Sequence, residues 1–171
     1  TLDGELALET EWGNTMLRSG EMAVIPKSVT HRCGSLARTT ALVFERRVFS
    51  NRQNGQRRLF VIEGAGEIKP VSIGAESLLL GEPSVARQLT NVDDLVLSVI
   101  RFQGEGQERI CHTGSELLLV QKDSLILEAE LGTINLGMGE LAVVPTGVTY
   151  RVQAPAGAVV LLAAKSGTPE T

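Results

Sequence analysis

The strongest constraint on this chain is that it repeats itself. Sliding the sequence by 119 residues lays Asp3–Cys33 on Lys122–Val152 without a gap, and 14 of the 31 pairs are identical. Ordinary residue usage would give about two. The phrases GEMAVIPKSVTHRC (Gly20–Cys33) and GELAVVPTGVTYRV (Gly139–Val152) are near copies, yet His31 in the first becomes Tyr150 in the second. One long period describes two related halves rather than a solenoid of short repeats.

Inside each half the period is that of strands. Leu6, Leu8 and Thr10 alternate with Glu5, Ala7, Glu9 and Glu11, and Leu125, Leu127 and Ala129 alternate with Ile126, Glu128 and Glu130. Glycines 13, 20, 132 and 139 fall at turn-like intervals, and Pro26 and Pro145 end short strands. Further strands are predicted over Ala41–Val48, Arg58–Glu63, Leu95–Phe102, Ser115–Gln121 and Ala158–Ala164, while Ile73–Leu80 has room for one helical turn. Many short strands, Gly-rich turns and almost no helix predict an all-β sandwich or barrel.

Composition narrows the function classes. Hydrophobic residues make up 43% of the chain and charged residues 21%, as in a globular domain, and no apolar run approaches the length of a membrane span. The opening TLDGEL has no basic-then-apolar pattern of a secretory signal. The net charge is −4 and the basic residues are scattered, which argues against a nucleic-acid partner. Cys33 and Cys111 have no metal-type spacing, so two free thiols in a reduced cytoplasmic setting are expected. The carboxylate pairs Glu9/Glu11 and Glu128/Glu130 oppose the apolar face, where a solvated strand with ion pairs to Arg32 and Arg151 is expected. The glycines of GEGQE and EGAGE lack the following helix that a phosphate loop needs.

The repeated phrase resembles the second motif of the cupins, G-x5-P-x-G-x2-H-x3-N. Gly20, Pro26 and His31 match it, with Ser28 and Ser35 at the second glycine and the asparagine. Gly139, Pro145 and Gly147 match it again, with Tyr150 at the histidine. The first cupin motif, G-x5-H-x-H-x3–4-E-x6-G, is met by Gly104, His112 and Glu116, with Ile110 at the first histidine and Asp123 at the final glycine. The resemblance implies tandem double-stranded β-helix (jelly-roll) barrels, a bicupin. Residues 1–50 would be the first barrel, its N-terminal part either preceding Thr1 or filled by another segment such as Arg57–Ile68, which has the strand–Gly–strand look of the hairpin but no ligand. Residues 51–94 would be a connection with strands of its own, and residues 95–171 the second barrel. The stretch from Asp3 to Arg32 is also similar to a part of the homogentisate dioxygenases, iron bicupins in which two histidines and a glutamate hold the metal in one of the two barrels.

Strand alternation turns His31 and Tyr150 toward the barrel interiors. Residues 110, 112, 116, 118 and 120 share a parity, which turns His112 and Glu116 inward with Leu118 and Val120 and Cys111 outward. The resemblance implies His112, Glu116 and His31 as metal ligands and Tyr150 as a ligand or proton donor. Imidazole with carboxylate suits one divalent Fe, Mn or Zn. Two readings stay open. One is a metal-dependent, oxygenase-like enzyme acting on a small acid, an aromatic one included. The other is a metal-free cupin with a degenerate site, serving as a small-molecule binding or structural protein, in which His112 and Glu116 bond each other or Tyr150. A homodimer formed through sheet edges is expected in either case, with no nucleic acid or membrane as partner.

Overall fold

A computed structural model describes residues 1–26, 29–45, 66–92, 94–106, 108–112 and 114–166. The chain divides into two compact units, Thr1–Val71 and Ser72–Thr171. Its elements in order are β1 (Glu5–Thr10), β2 (Gly13–Arg18), β3 (Glu21–Met22), β4 (His31–Gly34), β5 (Val71–Ser72), α1 (Ile73–Leu78), β6 (Arg87–Val92), β7 (Leu95–Gly104), β8 (Glu108–Ile110), β9 (Glu116–Asp123), β10 (Leu125–Ala129), β11 (Gly132–Leu136), β12 (Leu141–Val144) and β13 (Thr149–Lys165). The expectation of a mostly β chain is met. No helix among the described residues is long and apolar enough to cross a membrane.

The strands predicted over Leu95–Phe102, Ser115–Gln121 and Ala158–Ala164 form as β7, β9 and the second half of β13. The single helical turn forms as α1, where the Ser72 hydroxyl accepts a hydrogen bond from the Ala75 amide and caps the helix. Of the run Ala41–Val48, the described residues 41–45 form no strand, and the run Arg58–Glu63 lies outside the described residues. Residues 72–92, part of the expected connection, carry α1 and β6, and β6 pairs with β7.

In the second unit the long strand β13 belongs to two sheets. Its first half pairs with β10 on one side and β8 on the other. Its second half pairs with β7 and β9. The register breaks between Ala154 and Ala158, where Pro155 lacks an amide proton and Gly157 has φ +87°, so the strand bends from one sheet into the next. β11 extends the first sheet through β10, while β12 and β6 extend the second through β9 and β7. Leu125, Leu127, Leu136, Tyr150 and Val152 from one sheet and Ile100, Phe102, Leu118, Val120, Val160 and Leu162 from the other bury into one apolar interior. Burial of these side chains stabilises the unit by about 1.5–3 kcal/mol each before entropy is counted.

In the first unit β2, β1 and β4 form a three-stranded antiparallel sheet. Leu8, Val29 and Ile68 form a small buried cluster, with Trp12, Ala23 and Ile25 packed against it. The repeat seen in the sequence recurs here as hydrogen bonding. Gly20 N donates to Thr1 O at 2.9 Å, and Gly139 N donates to Val120 O at 2.9 Å. Val29 N donates to Pro26 O at 3.3 Å, and Val148 N donates to Pro145 O at the same distance. The Glu21 carboxylate accepts from the Arg18 amide at 2.8 Å, and Glu140 accepts from the Gly137 amide at 2.7 Å. The repeated Gly-Glu is therefore a turn lock, in which the glutamate satisfies an amide left unpaired by the turn. Glu9 and Arg32, opposite each other on β1 and β4, form the exposed ion pair that the carboxylate pattern predicted.

Candidate functional site

The candidate site lies inside the second unit, where β8, β9 and β13 meet. Tyr150 stands on β13 with Val152, both facing the interior as strand alternation predicted, and Tyr150 is 1% exposed. Glu116 is the first residue of β9 and is half-buried. Arg109 lies on β8 directly opposite Tyr150 and is also half-buried.

These three side chains form a continuous polar chain. The Tyr150 hydroxyl donates a short hydrogen bond to Glu116 Oε2. Arg109 Nε donates to the Tyr150 hydroxyl oxygen at 3.0 Å. The guanidinium also sits over the Phe102 ring, 6.0 Å from its centroid, a contact that favours the cation. The phenol thus acts as donor to a carboxylate and acceptor from a guanidinium. Burial, and then the bond given to Glu116, push the Tyr150 hydroxyl well above its ordinary pKa, so it stays protonated.

The structure differs from the parity reading on the segment before Glu116. His112, expected inward, is exposed, and Cys111, expected on the outward face as a small buried or half-buried residue and not a nucleophile, is 1% exposed. The physical reason is a break in the strand. β8 ends at Ile110, β9 begins at Glu116, and the described residues between them form no strand, so alternation does not carry across. Within β8 the inward residue is Arg109, while Ile110 is 45% exposed. A one-residue change in strand phase exchanges the two faces. Residues 109 and 111 consequently hold the inward positions that the cupin pattern assigns to 110 and 112. Arg109 is the functional residue the sequence reading missed.

Cys111 Sγ lies 3.7 Å from the Val144 carbonyl, and burial, then the neighbouring Glu116 carboxylate, push its thiol pKa up. It is therefore a poor nucleophile.

His31 is also exposed, contrary to its expected inward position. Its Nδ1 lies 3.2 Å from the Val29 carbonyl. Among the described residues β4 pairs with β1 alone, and no strand pairs on the His31 side of β4 as β8 does beside Tyr150.

At Asp123, which stands where the first cupin motif ends in glycine, the backbone adopts φ +61°. Gly4, its equivalent through the repeat, has φ +80°. The motif's glycine thus marks a left-handed turn, which aspartate tolerates better than most side chains.

Among the described residues no group of three His, Cys, Asp or Glu side chains comes together as a metal set. Glu116 and Tyr150 meet, His112 is exposed, and a guanidinium joins the pair instead. These donors do not fit the two-histidine, one-glutamate arrangement that the resemblance implies.

No family model and no curated protein matches the chain. Among solved structures it is similar to a cupin-2 domain containing protein from Shewanella frigidimarina, at 18% identity and a TM-score of 0.53, over 56% of this chain and 94% of that one. It is also similar to a cupin 2 conserved barrel domain protein from Leptotrichia buccalis, at 12% identity and a TM-score of 0.65, over 96% of this chain and 71% of that one. At these identities the likeness bears on fold alone. With the strand order of the second unit, it identifies a β-rich, cupin-like jelly-roll fold.

Proposed function

We propose that this chain is a tandem cupin whose second unit binds a small molecule without a metal ion. The observation that carries this reading is the Arg109–Tyr150–Glu116 chain. The carboxylate at the motif's glutamate position already accepts a hydrogen bond, and a fixed guanidinium supplies the positive charge that a cation would otherwise bring. A divalent ion on Glu116 would share a carboxylate already bonded to Tyr150 and sit close to Arg109, and like charges in a half-buried site repel strongly. The tandem arrangement is supported by the hydrogen bonds that recur 119 residues apart. The same reading includes a cytoplasmic homodimer. Light scattering tests the dimer, which the uncharged edge strand β11, GTINL, favours.

The test is the metal content of the purified protein and of Glu116→Gln. Less than a tenth of an equivalent of any transition metal, unchanged in the variant, is the expected result. A stoichiometric metal lost in Glu116→Gln would overturn the reading. It would favour instead an oxygenase-like enzyme acting on a small acid, for which Glu116 and Tyr150 offer two oxygen donors at one interior point.

A further inference from the structure

The two ends of the polar chain differ from its middle. The Tyr150 hydroxyl is buried, whereas Arg109 and Glu116 are each half-buried and keep surface toward solvent. Arg109 commits Nε to Tyr150, and no carboxylate among the described residues lies within ion-pair distance of it. Among the described residues the hydrogen bond it makes is through Nε, and its terminal nitrogens meet no acceptor there. Glu116 commits Oε2 to Tyr150 and has Oε1 for a further donor. A cationic fork and a carboxylate oxygen thus stand on either side of one hydroxyl. The Nε-to-hydroxyl step is 3.0 Å and the next step is a short hydrogen bond.

We propose that this pair recognises a small acid carrying a hydrogen-bond donor on the carbon next to its carboxylate, a 2-hydroxy or 2-amino acid. The proposal deepens, and rests on, the reading of this site as metal-free. The carboxylate of the ligand pairs with the two terminal nitrogens of Arg109, a planar match that lysine does not offer. Its hydroxyl or ammonium donates to Glu116 Oε1. A plain carboxylic acid satisfies Arg109 and leaves Glu116 unmatched, and an amine without a carboxylate does the reverse. Tyr150 ties Arg109 Nε and Glu116 Oε2 to one hydroxyl, so both side chains are set before the ligand arrives.

The test is calorimetric titration of the purified protein with L-lactate, L-alanine and propionate, with metal content measured on the same preparation. Lactate or alanine should bind saturably and about tenfold or more tighter than propionate, the size expected of one charge-assisted hydrogen bond. Whichever of the two binds more tightly identifies the hydroxyl or the ammonium as the donor. Arg109→Lys, and separately Arg109→Gln, should weaken binding by about tenfold or more while the far-UV circular dichroism stays unchanged. Glu116→Gln should bring lactate and propionate closer together. Equal binding of lactate and propionate, or binding untouched in folded Arg109 variants, would overturn the inference. So would the absence of binding by all three acids to metal-free protein, which leaves the metal-free reading standing. A stoichiometric metal in the same preparation overturns both.

Discussion

The Tyr150 hydroxyl donates a hydrogen bond to Glu116, 34 residues earlier in the chain, and by that bond joins β13 to the start of β9. Tyr150→Phe removes the hydroxyl and leaves both the carboxylate and the guanidinium without their shared partner. The expected loss is about 1–3 kcal/mol, read from the midpoint of urea unfolding. In a Glu116→Gln background the same substitution should cost less. A coupling of about 0.5 kcal/mol or more between the two sites would mark the bond as real in solution.

Alkaline titration should isolate this phenol, because Tyr150 is the chain's one tyrosine. Its folded pKa lies above the unfolded value of about 10. A raised acid pKa means that the unfolded chain loses its proton first. The contribution of Tyr150 to stability is therefore complete below about pH 10 and is lost as the pH climbs toward the folded pKa. Tyrosinate absorbance should appear late and together with unfolding. In Glu116→Gln, which removes the carboxylate and its bond, it should appear at lower pH. Titration of the native protein near pH 10, like a free tyrosine, would contradict the buried placement.

The two thiols should separate cleanly. Cys33 is exposed and Cys111 is buried, with its thiol pKa raised by burial and then by Glu116. A disulfide reagent at neutral pH should modify one thiol per chain at once and the second only after denaturant is added. Cys33→Ser should abolish the fast phase. A fast phase of two thiols would show that the residues before β9 are open to solvent.

These expectations also measure how far the sequence could be read. On β13 the alternation ran unbroken from Val148, so Tyr150 and Val152 were placed inward from their spacing alone. The same count fails between Ile110 and Glu116, because parity has meaning only within one strand and the described residues between β8 and β9 form none. His112 was therefore assigned to a face it does not occupy, and Arg109 was not singled out. The alternation of ERI with Tyr150 as its cross-strand partner was the one available signal, and it needed the register to be known. The inward place of His31 rests on the repeat with Tyr150, yet His31 is exposed among the described residues, because burial of a strand face depends on what packs over it and not on alternation alone. The turn chemistry, by contrast, was legible residue by residue, because each Gly-Glu acts locally.

That local chemistry gives a fourth expectation. Gly139 has φ +83° and nothing near where a Cβ would project, so Gly139→Ala tests backbone conformation without a clash. It should cost about 1–2 kcal/mol, and Glu140→Ala about 0.5–1.5 kcal/mol through the lost bond to the Gly137 amide. Thermal midpoints of the two variants, measured beside wild type, check both.

The bend at Pro155–Gly157 has a wider consequence. Because one strand runs through it from the first sheet into the second, neither sheet of the second unit can come apart while the other keeps its centre. The two sheets should open as a single cooperative event, and slow amide exchange should be shared between Val152 and Val160 rather than confined to one layer. A short strand such as β12, which among the described residues pairs with β9 alone, can fray at little cost. The polar chain through Tyr150 is thus anchored on the part of the molecule that is last to move.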